Sequence, residues 1–162
     1  MEDPLMKKTF LCCLIFALIL YTSCAPKYTT DISIQDLAES VIVSLDPNVS
    51  FVRAEAEYLN GYFSMPDTVF GHRIYYAADG NNLDEIGIFY TTQPELLEDH
   101  LEDYLDECLE ENQSFYDSYI PEQTPKLRDA EVRVFGNCVA YGILSKEDQK
   151  AFFDTIDETL RV

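Results

Sequence analysis

The stretch EVRVFGNCVAYGIL, residues 131–144, decides the fold. Two runs rich in Val, Phe, Tyr and Ile flank Gly136-Asn137, a pair suited to a two-residue hairpin turn. With that pair as the turn, Phe135 stands opposite Cys138 and Val134 opposite Val139. Val132, Val134, Val139, Tyr141 and Ile143 then share one face, which is apolar. Phe135, Cys138, Ala140 and Gly142 share the other, because successive side chains of a strand alternate. Ser145 follows as a helix N-cap with Asp148 at the third helical position. Phe152, Phe153, Ile156 and Leu160 give that last helix its apolar face.

Hairpin followed by helix also occurs upstream. Residues 69–78 read as a strand, Asp79-Gly80-Asn81-Asn82 as a turn cluster, and residues 83–91 as the returning strand, with Ile86, Ile88 and Tyr90 on one face. Thr92 is expected to cap the longest helix, with Glu95 completing a capping box. Leu97, Leu101, Tyr104, Leu105, Cys108 and Leu109 form its apolar stripe. Residues 114–125 read as an aromatic, Pro-punctuated connection. Nearer the start, Ser33 caps a helix carrying Ile34, Leu37, Ala38, Val41, Ile42 and Leu45, which Asp46-Pro47-Asn48 ends. Residues 52–62 read as a short helix. The order α-(α)-β-β-α-β-β-α predicts an α+β fold, an antiparallel sheet of about four strands in two hairpins with packed helices. It occupies a single domain over residues 32–162.

Ahead of that domain lies a segment of a different kind. Lys7 and Lys8 are followed by residues 9–20 without a charge, then by Tyr21, Thr22, Ser23 and Cys24. A basic pair, an apolar run and small residues before a cysteine have the layout of an export signal. Residues 1–23 are therefore expected to be a lipoprotein signal peptide, with Cys24 the lipidation site and residues 24–31 a lipidated tether. Tyr21 stands where such signals usually carry an aliphatic residue. Glu2 and Asp3 are foreign to a basic n-region, so Met6 is the more natural start. The uncharged run is short against the roughly 20 residues of a transmembrane helix.

The formal net charge is -19, with 11 Lys and Arg against 30 Asp and Glu. Removing the signal takes away Lys7 and Lys8 together with Glu2 and Asp3, so the mature charge is unchanged. Such a chain repels nucleic-acid phosphates and anionic headgroups, which excludes nucleic-acid binding and assigns membrane attachment to acyl chains. Cys12 and Cys13 leave with the signal. Cys108 and Cys138 are expected on opposite faces of the sheet, as two free thiols.

Several segments together carry a resemblance: the signal, DEIGIFY, the long helix, SFYDSYIPEQTPKLRDAEV, GNCVAYGI and the closing helix. The chain resembles bacterial lipoproteins of the domain-of-unknown-function 4358 family over roughly residues 32–160. The resemblance implies a cell-surface protein facing a wall, of a kind common in Gram-positive gut anaerobes. It implies no activity and carries over no functional residues.

No GxSxG, HExxH or phosphate-binding glycine loop is present. A pairing of Cys138 with His72 or His100 is formally open, but a small residue after a turn is the plainer role for Cys138. Nine carboxylates from Glu95 to Glu111 leave the long helix without a cation in that stretch, which suits a solvated face better than a calcium site. Asp79, Asn81 and Glu85 slightly resemble an oxygen-ligand loop, although an ordinary hairpin turn fits them better. Phe115, Tyr116 and Tyr119 suit covering the end of the sheet; they are also the first candidates for a ligand or partner surface. No catalytic or metal-binding residue and no cofactor is expected. The expected function is that of a lipid-anchored extracytoplasmic protein at the outer face of the cell membrane. It would be a non-enzymatic binding or accessory protein for an unknown protein or wall partner. The alternatives are a surface enzyme acting on wall material and a cation-binding module using the acidic surface.

Overall fold

The computed structural model describes residues 26–54 and 64–162. Its elements, in chain order, are α1 (Ile34–Ser44), β1 (Phe51–Arg53), β2 (Val69–Ala77), β3 (Glu85–Thr91), α2 (Pro94–Tyr119), α3 (Thr124–Arg128), β4 (Glu131–Phe135), β5 (Cys138–Ile143) and α4 (Lys146–Leu160). The strands make one antiparallel sheet in the order β1-β2-β3-β5-β4. The fold is α+β, with five strands where the sequence suggested about four.

The β4–β5 hairpin has the expected register, Phe135 opposite Cys138 and Val134 opposite Val139. Gly136 has φ +62 and no non-glycine residue described has a positive φ. Only the first turn position is left-handed, the pattern of a type II′ turn with glycine in that place.

Helices cover both faces of the sheet. On one face, Leu37, Ala38 and Val41 of α1 and Phe152, Phe153, Ile156 and Leu160 of α4 pack on Ile86, Ile88, Tyr90, Cys138 and Ala140. On the other, Leu97, Leu101, Tyr104 and Leu105 of α2 and Leu127 of α3 pack on Ile74, Phe89, Val139, Tyr141 and Ile143. Every residue of β3 and β5 is buried, as two-sided cover of the central strands requires. Cys138 belongs to the first core and Cys108 flanks the second, and both are free thiols, as the register argument expected.

Both Ser33 and Ser145 cap their helices, each hydroxyl accepting from the backbone amide three residues on. Three local expectations are corrected. The cap of α2 is Gln93 and not Thr92, because Pro94 occupies the first turn with its preset φ. The hydroxyl of Thr91 accepts the Gln93 amide at 3.1 Å, which settles the chain before the helix starts. Second, α2 continues to Tyr119, so residues 114–119 are helix and not connection. No Gly or Pro interrupts it before Pro121, and the short α3 follows. Third, Val52 and Arg53 belong to β1, which pairs with Ala77, Tyr76 and Tyr75. Three residues are too few to display a period, and residues 55–62 of the expected short helix lie outside those described.

The register gives the sheet two distinct ends. Tyr90 lies opposite Cys138, so the β4–β5 turn stands at the Thr91 end of β3. Glu85 lies opposite Ile143, so the β2–β3 turn stands at the other end. Six ladder steps separate the two ends by about 20 Å.

The chain preceding α1 is fastened at the β4–β5 turn. Tyr28 bridges to Arg161, the Thr29 amide donates to the Leu160 carbonyl, and the Val162 amide donates to the Lys27 carbonyl. The Tyr28 hydroxyl donates to Asp157 at 2.7 Å, and its ring meets Phe135 edge-on at 5.7 Å.

Candidate functional site

At the Glu85 end of the sheet, the β2–β3 turn, the second half of α2 and α3 enclose a cleft of about 390 Å³. Its position follows from the length of α2. The helix leaves the Thr91 end of β3 and runs back, so that Tyr104 reaches Glu85. The residues beyond Tyr104 continue past the sheet and form one wall through Cys108, Asn112 and Tyr116.

Glu85 is the centre of the cleft's interior. Its Oε1 accepts from the Tyr104 hydroxyl at 2.8 Å and from the Tyr141 hydroxyl at 2.5 Å. Gly87 makes this possible. It pairs with Tyr141 across the ladder, and a Cβ there would lie 2.2 Å from Tyr141 Cε1. The bare backbone lets the Tyr141 ring lie against β3, directed at Glu85, on the face where Phe89 stacks beside it. Burial pushes the Tyr104 hydroxyl far above its ordinary range, and the Glu85 charge adds to that. The Tyr104 hydroxyl therefore remains a donor at all physiological pH values.

The opposite wall is held by ions. Lys126 of α3 donates to Asp84 at 2.6 Å and to Asn82 Oδ1 at 2.9 Å, with the Asp84 side chain only 3% exposed. The Asp84 amide in turn donates to Asn82 Oδ1, and Leu83 N–H donates to Gln123. These bonds tie the β2–β3 turn to the α2–α3 connection and keep the cleft open between them.

Of the sequence candidates, Tyr116 lines the cleft. Phe115 and Tyr119 stay outside, 56% and 72% exposed, their rings 4.7 Å apart and forming a lip beside it. Asp79 and Glu85 both line the cleft but do not converge as ligands. Asp79 Oδ1 accepts the Asn81 amide, as an ordinary turn would have it, while Glu85 is turned into the tyrosine pair. Among the described residues, no three His, Cys, Asp or Glu side chains are arranged to hold a metal ion.

The formal Cys138–His pairing is contradicted by topology. His72 stacks on Phe89, on the α2 face, and His100 sits on α2 with Nδ1 2.7 Å from the Leu96 carbonyl. Cys138 lies in the core under α1 and α4. Burial pushes its thiol up to about 12, and pushes the Cys108 thiol up to about 11 against the opposing Tyr104 hydrogen bond. Both sulfurs are protonated at neutral pH, which removes the thiolate that nucleophilic chemistry needs.

Glu85, Tyr104, Tyr141, Gly87, Asp84 and Lys126 were not assembled by sequence reasoning. One signal for them was present: a glutamate and a glycine inside the otherwise apolar run EIGIFYT. A buried carboxylate demands donors, and a glycine in a central strand marks a close approach.

No family model matches the chain, no curated protein matches it, and no solved structure matches it. No helix of the described residues is long and apolar enough to cross a membrane.

Proposed function

We propose that the protein is a lipid-anchored, extracytoplasmic binding protein whose cleft takes a small cationic ligand. The location rests on Lys7, Lys8 and the uncharged run leading into Cys24, and the likeness to domain-of-unknown-function 4358 lipoproteins supports it. Binding rests on one observation. Among the described residues the cleft is lined by Asp79, Glu85 and the rings of Tyr76, Tyr104 and Tyr116, while Asp84 in its wall is already paired with Lys126. Carboxylates beside aromatic faces suit an ammonium group, which gains from both. The protonated Cys108 thiol and the tyrosine-bound carboxylate favour binding over covalent chemistry at this place.

The test is a thermal-shift series on the purified domain with putrescine, choline and lysine methyl ester, against acetate and glycerol phosphate as anions. The amines should raise Tm in a saturable way, and Tyr116→Ala should abolish the shift, measured from that variant's own unliganded Tm. Equal shifts from the anions, or an amine effect indifferent to Tyr116→Ala, would contradict the assignment.

A further inference from the structure

We infer that the end of the molecule bearing the β4–β5 turn is a shallow membrane-docking face, through which Phe70 and Leu96 enter the lipid headgroup region while the cleft points away. The inference rests on the proposed anchorage at Cys24 and extends it to the orientation of the whole domain.

The covalent geometry comes first. Three residues lie between Cys24 and Tyr28, so four Cα steps give a reach of at most about 14 Å. Tyr28 is held to Arg161, Asp157 and Phe135, next to Gly136, where an added Cβ would lie 3.0 Å from the Tyr28 Cβ. An anchor at Cys24 therefore draws this end of the sheet to the bilayer and no other. The β2–β3 turn, with the cleft, stands about 20 Å farther out.

The same end carries the side chains that a membrane surface would take. Phe70 adjoins the Gly71–Tyr90 pair at the Thr91 end of β2, is 59% exposed, and leans on Tyr90 at 6.0 Å. Leu96 lies in the first turn of α2, directly after that end of β3, and is 43% exposed. Lys27 is exposed on the segment fastened at this end, and Arg161 is paired with Asp157. Exposed Asp67 and Glu95 lie at the same end. Carboxylates so close to the two apolar side chains limit the docking to the interface and rule out deeper insertion.

The chain contains no tryptophan, so single-Trp variants report position without background. The full chain, produced in a bacterial host that acylates lipoproteins, is reconstituted into phosphatidylcholine–phosphatidylglycerol vesicles with brominated acyl chains. Floated vesicles are then examined. Phe70→Trp and Leu96→Trp should shift their emission to the blue and lose most of it to the bromines. Tyr119→Trp, at the cleft end, should show neither change. All three positions are exposed and accept the larger ring, and an unchanged Tm confirms each fold. Quenching at residue 119, or the same unquenched emission at all three positions, overturns the docking face. If Cys24→Ala floats as well as wild type, the lipid anchor fails while the quenching pattern still decides the orientation. A wild-type chain that does not float overturns both.

Discussion

A methyl group at position 87 would lie 2.2 Å from Tyr141 Cε1 and 2.8 Å from Phe89 Cε2, inside a closed core. Gly87→Ala should therefore displace the Tyr141 ring, lengthen its bond to Glu85, and cost about 1–3 kcal/mol in urea unfolding. An unchanged unfolding midpoint would show that the ring does not depend on the bare backbone. The Lys126–Asp84 pair is the second residue-level test. Lys126→Met leaves a buried carboxylate without its cation, and loss of one partner of such a pair costs about 3–5 kcal/mol. The double variant Lys126→Met, Asp84→Leu should recover much of that loss, because the uncompensated charge goes with the second change. A double variant as unstable as the single one would place the importance of Lys126 in its bond to Asn82. The separation of Cys108 from Cys138 was legible in the sequence, because a two-residue turn fixes which face each strand residue takes. The Glu85–Tyr104–Tyr141 group was not, because its partners come from three elements and meet only after the helix is laid on the sheet.

The long helix α2 is stabilised by its buried stripe against an unfavourable surface. Glu98 is raised from its ordinary 4.5, chiefly by burial and then by the charges of Glu102, Asp99 and Glu95. Its protonation favours the folded state; that contribution is complete below 4.5 and is lost as pH rises through the raised value. Asp157 is lowered from 3.8, first by the hydrogen bond from Tyr28. Its contribution is present above 3.8 and is lost as pH falls through the lowered value. Tm should therefore be highest in mildly acidic solution, lower at pH 7, and lower again in strong acid. Glu98→Gln should flatten the neutral side of that profile and leave the acid side in place. A Tm that rises steadily from pH 5 to pH 8 would contradict the like-charge account of α2. Added salt should raise Tm at neutral pH, where the carboxylates repel most. The apolar stripe of α2 was readable from period alone. Its true start and end were not. Thr92 and Glu95 present a capping box, yet Pro94 and the Thr91 hydroxyl fix the entry differently. The aromatics after Ser114 suggested a loop, although nothing there stops a helix. The strand Phe51–Arg53 was missed because so short an edge element has no period to detect.

At the scale of the whole molecule, sequence and structure contribute different halves. The proposed location rests on the export-type segment alone, a basic pair, an apolar run and a cysteine. The sheet register supplies the polarity of the domain, since it puts the Tyr28 fastening and the cleft at opposite ends. The lip formed by Phe115 and Tyr119 stands at the cleft end, so the aromatic surface first read from sequence and the cleft itself face the same way. In the proposed arrangement the Tyr28 end of the domain is held against the bilayer and the cleft end faces away from it. All of this depends on the chemistry of one cysteine. The decisive measurement is mass spectrometry of the N-terminal peptide of the protein extracted from membranes of a host that processes lipoproteins. The expected peptide begins at Cys24 and carries a diacylglyceryl group on the sulfur. A peptide that begins upstream of Cys24, or that begins at Cys24 with a free thiol, would contradict the anchor and with it the proposed orientation.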